Sequence, residues 1–82
     1  MDKLYNDNLK KEYIDKYEYH LHYNKAEQEY LATVSEFKNL SVFAKTKIKT
    51  LKELKNIVHN VLFYYQENKL SFPIPKYILE GR

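Results

Sequence analysis

The sequence predicts an all-α fold: a small helical hairpin or three-helix bundle with a proline-containing C-terminal tail, able to gain buried surface by dimerising. Three observations predict it. The only glycine is Gly81 and the only prolines are Pro73 and Pro75, so residues 1–72 hold no strong helix breaker. From Ala44 to Asn68 the apolar residues Ile48, Leu51, Leu54, Val58, Val61, Leu62 and Tyr65 form one broad stripe at helical spacing. In the first half, Tyr13, Tyr17, Leu21, Tyr30, Val34 and Phe37 also recur near helical spacing.

The whole chain, 1–82, reads as one domain with helices at roughly 9–38 and 44–68 and a tail at 69–82. Within the first helix, Tyr17-Glu18-Tyr19-His20-Leu21-His22-Tyr23 alternates as a half-buried strand would. A lone strand needs a partner edge, and no second strand declares itself except near the prolines, so helix is preferred. A restart falls at Asn24, which can cap a helix whose Glu27 reaches back. Asn39-Leu40-Ser41 reads as the turn between the two helices. Leu70 to Pro75 must run extended near the prolines. Lys76 to Glu80 reads as a last helical turn.

Composition narrows the class. A domain of 82 residues has a thin core, burying only about 60–65% of its unfolded surface. There is no cysteine, hence no disulfide framework and no thiolate metal site. The N-terminus lacks the apolar run of a signal peptide, and the longest apolar run, Val61 to Tyr65, is far short of a membrane span. These features point to the cytoplasm, or the host cytoplasm if the protein is viral, with no membrane partner. The net charge of +3 permits nucleic-acid or acidic-protein binding without demanding it. The abundance of Lys, Asn, Tyr and Ile suggests an AT-rich genome, such as that of a low-GC bacterium, its phage or an archaeal virus.

Lysines crowd the start of the second helix at Lys45, Lys47, Lys49, Lys52 and Lys55. Cations there oppose the helix dipole, by roughly 0.3–1 kcal/mol each. A helix that meets phosphate has this character, because dipole and lysines then attract the same anion. The run from Val34-Ser35-Glu36-Phe37 through Lys45-Thr46-Lys47-Ile48-Lys49-Thr50-Leu51 resembles the helix-turn-helix of bacterial and phage regulators. Val34, Phe37, Leu40, Phe43, Ile48 and Leu51 fall at that family's core positions. The resemblance implies that Lys45, Thr46, Lys49 and Thr50 face the major groove of double-stranded DNA, with Lys47 and Lys52 beside them.

The other candidates are weaker. His20 and His22 would share a face only on a strand; on a helix they diverge, so no metal site is assigned. The nine tyrosines are first core and then interface, with Tyr13, Tyr17, Tyr30, Tyr64 and Tyr65 as protein-contact candidates. No glycine-rich phosphate loop, cysteine nucleophile or serine elbow is present, so no enzyme and no cofactor is expected. The sequence thus predicts a non-enzymatic DNA-binding regulator of a phage, virus or mobile element. The alternative is a helical protein-interaction module, such as a phage or viral inhibitor of a host protein or an immunity-type protein.

Overall fold

The computed structural model describes residues 7–75, the first four as backbone only. Its elements run α1 (Asp7–Lys16), β1 (Tyr19–Asn24), β2 (Glu29–Val34), β3 (Phe37–Ala44) and α2 (Lys47–Glu67). The fold is therefore α+β, and the all-α expectation is corrected. The predicted helix over 9–38 stops at Lys16 and gives way to a three-stranded antiparallel sheet in the order β1-β2-β3. The predicted last turn at 76–80 lies outside the described residues.

The alternation at 17–23 is that of a strand, and its partner is β2. Tyr19 pairs with Val34, Leu21 with Ala32 and Tyr23 with Tyr30, which sets these six side chains on one face. Asn24 makes the contact expected of a cap, its side-chain oxygen accepting from the Glu27 N–H at 3.2 Å. Here that bond closes a hairpin loop instead of starting a helix. Gln28 turns the chain with φ 55°, while its N–H reaches the Lys25 carbonyl at 3.3 Å. The hairpin turn thus ends on a left-handed residue and is built without glycine. Ser35 and Glu36 alone join β2 to β3. A register shift between Thr33 and Val34 then interrupts the β2–β3 ladder.

The predicted second helix is present with trimmed ends. Thr46 caps it in extended backbone, its hydroxyl oxygen accepting from the Lys49 N–H at 3.1 Å. At the other end Lys69 takes φ 57°, and the Leu70 N–H reaches back to the Tyr65 carbonyl at 2.8 Å, the six-to-one bond of a Schellman stop. Thr50, Leu54, Val58 and Leu62, four residues apart, are fully buried against the sheet. Ile48, expected in the core stripe, is instead 80% exposed, because two residues before Thr50 on a helix puts it about half a turn away from the buried line there. Replacing Thr46 with Ala should cost about 1 kcal/mol through the lost cap, read as a lower urea midpoint with unchanged slope.

One face of the sheet is covered. α2 crosses it, and α1 packs beside α2 at the β1 end. Ile14, Tyr17, Ala32, Val34, Phe37, Val42, Leu54, Val58, Leu62 and Phe72 make one core. Tyr17 is its aromatic hub, edge-on to Phe37 at 5.2 Å and to Tyr13 at 6.2 Å. Its hydroxyl donates to the Pro73 carbonyl at 2.9 Å, which ties the extended tail to the end of α1. Lys55 on α2 reaches Asp15 on α1 at 3.8 Å and also lies over the Tyr19 ring. Both charges of that pair are well exposed, so it adds little.

Candidate interaction surfaces

The first surface to place is the lysine cluster. Residues 34–51 hold the end of β2, a two-residue turn, all of β3, a short connection and the first turns of α2. A helix-turn-helix needs a helix before the turn, and a strand stands there. Val34, Phe37 and Leu51 do face the core side, but from two strands and one helix. Phe43 is 52% exposed on the far side of the sheet. The helix-turn-helix arrangement that would aim Lys45, Thr46, Lys49 and Thr50 into a groove is therefore not formed. Thr46 is the α2 cap, and Thr50 is buried with its hydroxyl donating to the Thr46 carbonyl. Lys45 pairs with Glu29 at 3.7 Å, while Lys47, Lys49 and Lys52 are exposed along the start of α2.

The tyrosine candidates separate into two groups. Tyr17 is core, and Tyr13 and Tyr30 are half-buried beside it or beside Tyr23. Tyr64 is 60% exposed and Tyr65 half-buried, next to each other on α2. Burial pushes the hydroxyls of Tyr17 and Tyr19 well above the usual phenol range, with carboxylates nearby adding to the effect: Glu36 beside Tyr17, Asp15 and Glu36 beside Tyr19. Both stay protonated and act as donors, Tyr19 to the Ile14 carbonyl at 2.6 Å.

Three features of the sheet were not read from the sequence. The first is a groove of about 320 Å³ between β3 and the second half of α2. Phe37, Leu40, Val61 and Tyr65 supply its apolar wall, and Glu36, Lys38 and Asn39 its rim. Ile57 and Tyr64 flank Val61 at helical spacings of four and three and continue the apolar surface. The signal for it lay in the apolar stripe of α2, which is wider than one helix contact needs.

The second feature is the face turned away from α2. By register it carries two cross-strand rows, His20-Thr33-Ser41 and His22-Leu31-Phe43. No described helix covers it. His20 and His22 do share this face, contrary to the helical reading that separated them. The His20 ring nitrogen Nε2 is 2.8 Å from the Ser35 hydroxyl.

The third feature is the contrast between the two edges of the sheet. β3 carries Lys38 and meets β2 with a register shift. β1 reads Tyr-His-Leu-His-Tyr-Asn, with no lysine, no proline and an unbroken register.

Among the described residues no group of three or more His, Cys, Asp or Glu gathers as a metal site. No described helix is long and apolar enough to cross a membrane. No family model matches the chain, and no curated protein or solved structure is significantly similar to it. The phage or viral origin therefore gains no support from relatives.

Proposed function

We propose that this protein is a non-enzymatic interaction module that takes an extended, acidic segment of a partner protein along the outer edge of β3. The observation that carries the reading is the β3–α2 groove. An edge strand offers a row of backbone N–H and C=O groups that a partner strand can pair with. Beside that row lies the apolar wall of Phe37, Leu40, Val61 and Tyr65, in an open groove whose volume of about 320 Å³ accommodates one large side chain. Main-chain pairing would give affinity, and the groove would select every second side chain of the added strand.

Charge selects the partner's sign. Lys38 sits on the groove rim, and Lys47, Lys49 and Lys52 lie at the other end of β3, along the start of α2, where a segment running the length of β3 would reach them. No acidic residue occupies the first turn of α2. An acidic segment is attracted to this side and a basic one is repelled. Tyr64, exposed and amphipathic, is the residue type that anchors protein contacts.

The test is selection from a random peptide display library, followed by anisotropy with the selected peptides. Selected sequences should alternate, with one large apolar residue and at least one acid. Lys38→Glu and Tyr64→Ala, both at exposed positions, should weaken binding about tenfold or more, equivalent to about 1.4 kcal/mol. Ile48→Ala, at the far end of α2, should leave it unchanged. Peptides that bind wild type and both groove variants equally would sink the reading.

A further inference from the structure

We propose that two copies of this chain join through their β1 edges, and that the junction is a transition-metal site built from His20 and His22 of each copy. The β1 edge lies on the opposite side of the sheet from the β3 groove.

The direction of the β1 backbone groups comes first. The Ser35 N–H donates to the Glu18 carbonyl at 2.9 Å, extending the β1–β2 register by one pair. Bonded and non-bonded pairs alternate along an antiparallel ladder. His20, His22 and Asn24 therefore point their backbone groups toward β2. Tyr19, Leu21 and Tyr23 point theirs outward, to an edge that no other described strand occupies.

A bare edge of this kind is a template for pairing, and proteins usually blunt one with lysine, proline or a bulge. β1 carries none of these devices. Between Glu18 and Lys25 it bears no formal charge, so a second β1 meets no like-charge repulsion along the strand. Two copies related by a two-fold axis pair antiparallel. Only one register uses all three outward residues of both strands: Leu21 opposite Leu21, and Tyr19 opposite Tyr23. That register also gives Tyr23, 54% exposed in the single chain, a Tyr19 neighbour on the helix side of the sheet.

The same register fixes the histidines. His20 of one copy falls opposite His22 of the other, twice, on the face that no helix covers. These are non-hydrogen-bonded pairs, about 4.5 Å apart at Cα, where side chains approach most closely. Along each strand the two histidines stand about 6.7 Å apart. Four imidazoles then surround one point above the two-fold axis, within reach of a tetrahedral ion with metal–nitrogen bonds of about 2.0–2.1 Å. Imidazole sets of this kind suit zinc, copper or nickel. Each chain supplies two of the four ligands, so no complete set gathers among the described residues of one chain. Ser35 supports the reading: a hydroxyl on Nε2 of His20 fixes the ring and leaves Nδ1 to bind.

The experiment uses the untagged full chain, with zinc or cobalt(II) as the added metal. Sedimentation velocity should show dimerisation at a concentration at least tenfold lower with zinc than with chelator. Titration calorimetry should give one zinc per two chains, and cobalt(II) should develop the visible absorption of a tetrahedral nitrogen site. His20→Gln and His22→Gln, both exposed and expected to keep the wild-type circular dichroism, should each remove the zinc response. Tyr23→Lys, which charges the edge, should remove the dimer with or without metal. A chain that stays monomeric with zinc, that binds one zinc per monomer, or whose zinc response survives both histidine changes would overturn the proposal.

Discussion

Leu54→Ala is expected to leave a large fraction of the protein unfolded at room temperature. Leu54 is fully buried at the middle of the α2 line of Thr50, Leu54, Val58 and Leu62. It belongs to the single core that joins α2 to the sheet. Removing its three outer carbons loses their transfer energy and leaves a cavity, about 3–4 kcal/mol together. A domain of this size has only about 3–5 kcal/mol to lose. Urea melts followed by far-ultraviolet circular dichroism would show the midpoint collapse. Ile48→Ala removes as much apolar surface from the same helix, but from a side chain 80% exposed. It should change stability by less than about 0.5 kcal/mol. Equal effects at the two positions would mean that α2 presents a different face to the sheet.

That contrast also marks what the sequence made legible. The α2 stripe was read correctly as a helix because its period is local: every turn repeats the evidence of the last. Its ends were read within three residues, since Thr46 and Asn68 are ordinary boundary residues. Ile48 was misassigned to the core because a broad stripe does not say where its centre lies. The tail was read as extended from its two prolines, and residues 71–75 are neither helix nor strand.

The sheet was missed for physical reasons that can be named. Residues 17–23 alternated clearly, but a strand is stable only with its partner, and the partner did not look like one. β2 reads Glu-Tyr-Leu-Ala-Thr-Val, with Leu31 on the far face where a polar residue would have kept the alternation. β3 loses its alternation at the register shift, where Lys38, Asn39 and Leu40 intervene between the Phe37 pair and the Ser41 pair. The absence of glycine from residues 1–72 argues against hairpins. Yet Gln28 adopts the left-handed region itself, at a cost of roughly 1–2 kcal/mol that the paired strands offset. The helix expected before the Asn39–Ser41 turn rests on the same ambiguity, since apolar residues at Val34, Phe37 and Leu40 fit a helix as well as a kinked strand. The candidate sites suffered accordingly: the exposed lysines and Tyr64 were legible as residue types, while the groove and the shared face of His20 and His22 exist only once the strands pair.

Tyr17→Ala should be the most damaging single change in the first half of the chain, and its hydroxyl should set the alkaline limit of the fold. The ring is 4% exposed, packs edge-on against Phe37 and Tyr13, and holds the tail through Pro73. Truncation to alanine should cost about 3–5 kcal/mol, as for other buried aromatics. Tyr17→Phe keeps the ring and loses one hydrogen bond, for about 1 kcal/mol, so the pair separates packing from the bond to the tail. The pH dependence follows from the direction of the shift. Burial holds the Tyr17 and Tyr19 hydroxyls above their ordinary value of 10.0, so the folded state keeps protons that the unfolded chain releases. Their contribution is complete below about pH 10 and fades as pH rises through the folded values. Stability measured by urea at stepped pH should be insensitive to these two groups at neutrality and fall above pH 10. In Tyr17→Phe the fall should be shallower, because one of the two groups no longer ionises. A slope unchanged in that variant would mean that the Tyr17 hydroxyl ionises as easily in the folded protein as in the unfolded chain, and so is not held against Pro73.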